Sequence, residues 1–176
     1  MYSQIALNRK DVHCYVSLQN RNSKIAHPMK SQLLLTCLSL VQERIDSSAA
    51  AVKQAQESAN SEEKSSAGDK YETGRAMSQN QRDMNQRQLL LAKADLVLLD
   101  NISKDDKPHK VAGIGSCVEI SIGTVFISVG LGVVMVGKKK AMVVSLASPL
   151  AKGLLGKKAG DMFEFNGKKD KVKKVY

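Results

Sequence analysis

The chain has 176 residues, 43% apolar and 4% aromatic, with 27 Lys and Arg against 17 Asp and Glu for a formal charge of +10. This composition supports two small cores and excludes a large aromatic pocket, while the basic excess favours a nucleic acid or an acidic protein surface as partner. Cys14, Cys37 and Cys117 are scattered and odd in number, and His13, His27 and His109 lack ligand spacing, so neither a disulfide framework nor a zinc site is expected.

Residues 1–28 are mixed polar and lack the apolar core of a signal peptide, which predicts a disordered extension and a cytoplasmic protein. Helical patterning begins at Met29. Leu34, Leu38, Val41, Ile45, Ser48, Val52, Ala55 and Ala59 recur at alternating steps of four and three, the spacing of a coiled-coil seam. In a second arm Met77, Met84, Leu91 and Leu98 fall seven apart, with Ala94 at an intermediate seam position and Asn80 and Arg87 at others. Between the arms, residues 60–74 are rich in Ser, Asn, Asp and Gly, which favour a reversal. A long antiparallel helical hairpin over 29–104 with its tip near 60–74 is therefore predicted, and such a hairpin could also associate with a copy of itself.

After a polar linker closed by Pro108, the sequence becomes β-branched and punctuated by glycine. Strands are predicted at 117–122, 124–129, 133–136, 141–146, 162–165 and 171–176, with one short helix at 149–155. The expected fold class is α+β, the hairpin followed by a small antiparallel β domain over 111–176. Residues 118–136 carry a single charge, Glu119, yet Gly123, Gly130, Gly132 and the Val and Ile content suit strands better than a membrane helix. Basic residues gather late, at Lys138 to Lys140, Lys157, Lys158, Lys168, Lys169, Lys171, Lys173 and Lys174, and could contact RNA or DNA phosphates. Phe126, Phe163, Phe165 and Tyr176 are enough aromatics to fill a small core but not to build a prolyl isomerase pocket.

Two motifs carry a resemblance. Ser148-Pro149 opens an apolar segment ending in Gly156-Lys-Lys-Ala-Gly-Asp161, and Gly68-Asp69-Lys70-Tyr71-Glu72 lies between the predicted arms, Asp69 forty residues after Met29. In that order and separation they make residues 29–176 resemble the Gre family of bacterial transcript-cleavage factors. The resemblance implies an FKBP-like fold for the β domain, and a monomer that binds RNA polymerase. It further implies insertion of the hairpin into the polymerase's secondary channel and stimulated cleavage of backtracked RNA by the polymerase itself. The chain would not be an enzyme and would hold no cofactor alone. Asp69 and Glu72 would be supplied to the polymerase active site as contacts to a shared Mg2+ ion, and Ser148, Pro149, Leu150, Ala151, Gly153 and Leu154 would dock on the polymerase. Where the family continues with acidic and aromatic residues, this chain has Thr73-Gly74-Arg75-Ala76-Met77. That difference equally admits a polymerase-binding regulator or inhibitor that does not stimulate cleavage.

Overall fold

The computed structural model describes residues 28–62, 70–105, 108–137 and 139–176. They form an α+β protein: two long helices packed together, then a mixed β-sheet with a short helix and a separate two-stranded ribbon. The expected extension over 1–28 lies outside the described residues except for Pro28, which opens the first helix. Two compact units divide the chain, one made of residues 37–98 and one of the helix bases with the β region.

Helices α1 (Pro28–Glu62) and α2 (Lys70–Lys104) have 35 residues each, so each runs for about 52 Å. The helical reading reaches further toward the reversal than expected, since only residues 63–69 separate the two helices. The α1 seam from Leu34 to Ala55 is as the spacing predicts, while the side chain of Ala59 lies outside the described residues. Leu34, Leu38, Val41 and Ala55 are buried, and Ile45, Ser48 and Val52 are half-buried.

In α2 the expected register is wrong by about one residue. Met77, Met84 and Leu91 are exposed, 68%, 50% and 69%, whereas Ser78, Arg82, Asn85, Leu89, Ala92, Leu96 and Leu99 are turned inward at steps of four and three. The cause lies in the pairing. Arg82 Nη1 donates to Gln56 Oε1 at 3.1 Å, and small residues on α1, Ala51, Ala55 and Ser58, meet Ser78, Gln81 and Asn85 across a shallow groove. A seam lined with alanine and serine accepts small or polar partners closely, and Met77, which lines the same groove, stays largely exposed. Burial raises the Asp95 carboxyl above its ordinary range, with the Arg44 charge opposing the rise.

The β region holds strands β1 (Cys117–Ile120), β2 (Gly123–Ser128), β3 (Gly132–Val136) and β4 (Lys139–Ser145), helix α3 (Pro149–Leu154), then β5 (Met162–Phe165), β6 (Lys168–Lys171) and β7 (Lys174–Val175). The five-stranded sheet has order β3-β4-β2-β1-β7. It is mixed, not antiparallel as expected. β4 lies parallel to β2 with Phe126 opposite Val143, while β3 pairs antiparallel with β4 at the outer edge. Burial explains the order: Val125, Phe126, Ile127 and Ser128 of β2 are all buried and require neighbours on both sides, whereas β3 exposes Val133 and Met135 and tolerates an edge.

One face of this sheet carries a core of Val118, Ile120, Val125 and Ile127, covered by Leu150, Ala151 and Leu154 of α3 with Phe163 and Val172. The predicted strand at 171–176 is in fact two. β6 returns beside β5 in its own ribbon, and β7 pairs with β1 after the buried Val172. The reversal between β5 and β6 is Asn166-Gly167 with φ of 52° and 71°, the two consecutive positive values that a two-residue hairpin of this hand requires. The stretch 118–136 is three strands, and among the described residues no helix is long and apolar enough to cross a membrane.

Candidate functional site

The candidate residues fall in three places: the segment joining α1 and α2, the capped helix α3 and the basic ribbon β5–β6. At the reversal, Asp69 lies outside the described residues. Glu72 falls in the first turn of α2, and its side chain is likewise outside what is described. In sequence both fall at the junction of the two helices, since α1 ends at Glu62 and α2 opens at Lys70. Ala51 and Ser58 of α1 line one groove with Ser78 and Asn85 of α2.

Helix α3 is built as its sequence dictates. Ser148 has extended backbone and its Oγ accepts from the Ala151 N–H at 3.1 Å, Pro149 occupies the first helical position, where a missing N–H costs nothing, and the Leu155 N–H closes the end on the Ala151 carbonyl. This geometry sorts the six residues expected to dock. Leu150, Ala151 and Leu154 are 4%, 0% and 0% exposed and face the core, because a six-residue helix keeps its place only by burying its apolar side. Gly153 meets the ribbon: a Cβ there would lie 3.1 Å from the Glu164 carbonyl oxygen, so the missing side chain is what admits β5. Ser148 is half-buried as the cap, and Pro149 alone of the six is exposed, in company with Leu146, Ala147, Lys152 and Leu155. The outward surface of this segment is thus largely made by neighbours of the residues that the motif singled out.

The β5–β6 ribbon departs from the expected single strand at 171–176, although the sequence carries its signal. Asn-Gly between alternating residues is the strongest short-range mark of a two-residue hairpin, and it places Lys168–Lys171 on the return strand. Phe163 and Asp170 face the sheet, where Asp170 Oδ2 accepts from the Ser121 hydroxyl at 2.5 Å and its N–H at 3.2 Å. The Ser121 hydroxyl, and then the Lys171 N–H, hold the Asp170 carboxyl below its ordinary range. Met162, Glu164, Lys169 and Lys171 alternate onto the outer face. On β7, the Lys174 ammonium sits 5.9 Å from the Tyr176 ring centroid, and burial, ahead of the nearby Cys117 and Glu119, pushes the Tyr176 phenol up to about 12.

Two buried groups complete the inventory. Burial pushes the Cys37 thiol up to about 12, which keeps it an unreactive core group. His109 Nε2 is buried without a hydrogen-bond partner, and burial and the buried Lys30 lower its pKa while Asp105 opposes them. Among the described residues no three His, Cys, Asp or Glu side chains gather as a metal site. Neither a family model nor a curated protein matches this chain.

Proposed function

We propose that this protein is a Gre-like transcription elongation factor that binds bacterial RNA polymerase and presents the end of its hairpin to the secondary channel, and that the β region is FKBP-like. What supports this reading is that Gly68-Asp69-Lys70-Tyr71-Glu72 falls in sequence at the junction of two packed 35-residue helices. A carboxylate pair at the end of such a hairpin can reach a site recessed far below a partner's surface. The capped segment after β4 supports docking of the β region, through the exposed Leu146, Ala147, Pro149, Lys152 and Leu155.

Asp69 and Glu72 are hard oxygen donors, the class that magnesium accepts, so the donor set suits an ion shared with the polymerase. That ion would supply the water activation and the polymerase the substrate, leaving this chain to contribute carboxylate oxygens. Three residues apart in sequence, the two carboxylates would share a face if the turn between them is helical, and both could then address one spot.

The test is RNA cleavage by a purified, backtracked polymerase complex with wild type and Asp69→Asn. Stimulation by wild type and its loss in the variant, with binding retained, is the expected result. Binding without stimulation by wild type would convert the reading to an inhibitor that occupies the channel. Failure to bind polymerase would end it. A second reading, a hairpin that self-associates, is favoured by one observation: Met77, Met84 and Leu91 form an exposed row on α2 at heptad spacing. Light scattering at tens of micromolar separates the two, since the first reading expects a monomer.

A further inference from the structure

The positive charge of this protein is not evenly spread. Residues 108–176 hold twelve lysines, no arginine and four acidic residues, so this stretch accounts for +8 of the formal +10. Two of the four acids are engaged by hydrogen bonds from the protein itself. Asp170 accepts from Ser121, and Asp161 Oδ2 accepts from the Lys158 N–H at 2.8 Å. Glu119 lies on β1, paired through β7, which leaves Glu164 as the one carboxylate on the outer face of the β5–β6 ribbon.

On that face Lys169 and Lys171 are both exposed and stand two residues apart on one strand, hence about 6.7 Å apart along it. That is the scale of the phosphate repeat along an extended nucleic-acid strand. A groove of about 540 Å³ runs beside them between α3 and the ribbon, with Lys157 and Lys169 on its walls and Gly153, Met162, Phe163 and Glu164 as the rest of its lining. Lys157 and Lys169 thus border one groove, and Lys171 continues the line on the same face of β6.

We propose that the outer face of the β5–β6 ribbon, with Lys157, Lys169 and Lys171, binds the phosphodiester backbone of nucleic acid without reading its sequence. Lysine ammoniums are point charges that hold phosphates, and the bidentate guanidinium that reads a guanine edge is absent from the whole β region. The competing partners fit less well. A protein interface draws its affinity from aromatic and arginine anchors, and a membrane-surface site from a broad apolar face, whereas the ribbon exposes one isolated apolar side chain, Met162. The inference is independent of the polymerase reading and survives its failure.

The experiment measures fluorescence anisotropy of the full chain with a labelled single-stranded RNA and a labelled DNA duplex, each in two unrelated sequences, over a range of KCl. Three phosphate contacts predict a slope of log affinity on log salt of about −2.1 for the single strand and about −2.7 for the duplex, the same for both sequences. Lys157→Gln/Lys169→Gln/Lys171→Gln should weaken binding by roughly tenfold or more at low salt and flatten the slope, with thermal unfolding unchanged. Tighter binding to RNA or to duplex identifies which backbone is the ligand, and either supports the proposal. Three outcomes overturn it: no binding to either probe, displacement by poly-glutamate as readily as by unlabelled nucleic acid, or an equal loss in Lys53→Gln/Arg87→Gln/Lys93→Gln, which removes the same charge from the helices.

Discussion

Gly153 shows how one absent side chain holds a local fold together. With only 3.1 Å between its would-be Cβ and the Glu164 carbonyl, Gly153→Ala must push β5 away from α3, and overpacking of this kind costs about 1–3 kcal/mol. Urea denaturation should place the variant lower by that amount, whereas Lys152→Ala, one residue away and exposed, should leave the midpoint nearly unchanged. Ser148→Ala removes the acceptor for the Ala151 N–H and should cost about 1 kcal/mol by the same measurement. His109 makes stability pH-dependent. Its folded pKa lies below the unfolded 6.5, so the folded protein favours the neutral ring. This contribution is fully present above the unfolded value and is lost as pH falls through 6.5 toward the lowered folded value. Comparing urea midpoints at ~pH 8 and ~pH 5 should show part of the acid loss removed in His109→Gln, which carries no titrating ring.

At the scale of elements, the α2 seam is the informative case. Heptad spacing at Met77, Met84 and Leu91 was a valid pattern in the sequence, but a second set, Leu89, Ala92, Leu96 and Leu99, has the same period displaced by about one residue. Only the partner helix chooses between them. The choice has a measurable consequence: Leu99→Ala, at a fully buried position, should cost about 2–5 kcal/mol, and Leu91→Ala, 69% exposed, no more than about 0.5 kcal/mol. Chemical denaturation of the two variants checks the register directly, and a reversed order would restore the methionine seam. The ribbon teaches the converse. Asn166-Gly167 announced a hairpin locally, and the strand at 171–176 was misplaced because Lys-rich alternation carries no apolar face from which to read a register.

At the scale of the molecule, burial is graded along the helices. Leu33, Leu34, Cys37, Leu38 and Val41 of α1 and Ala92, Leu99 and Ile102 of α2 are buried, whereas between Val41 and the end of α1 only Ala55 reaches that class among the described residues. Thinly packed helix opens with less free energy than well-packed helix. Hydrogen exchange should therefore show faster exchange in residues 47–58 and 77–86 than in 33–41 and 96–102, and uniform protection would contradict the gradient.

Local chemistry was enough to give the element types. The seam of α1, the glycine-punctuated strands, the Ser148-Pro149 start of α3 and the basic end are all legible because each depends on neighbours within a few residues. The parallel pairing of β2 with β4, the register of α2, and the core positions of Leu150, Ala151 and Leu154 were decided only when distant segments met. Hydrophobic period says which residues seek burial, but not which of two equivalent faces finds a partner or which neighbour a strand takes. Those choices follow from depth, close approach and the need of a doubly buried strand for neighbours on both sides, and they exist only in the packed chain.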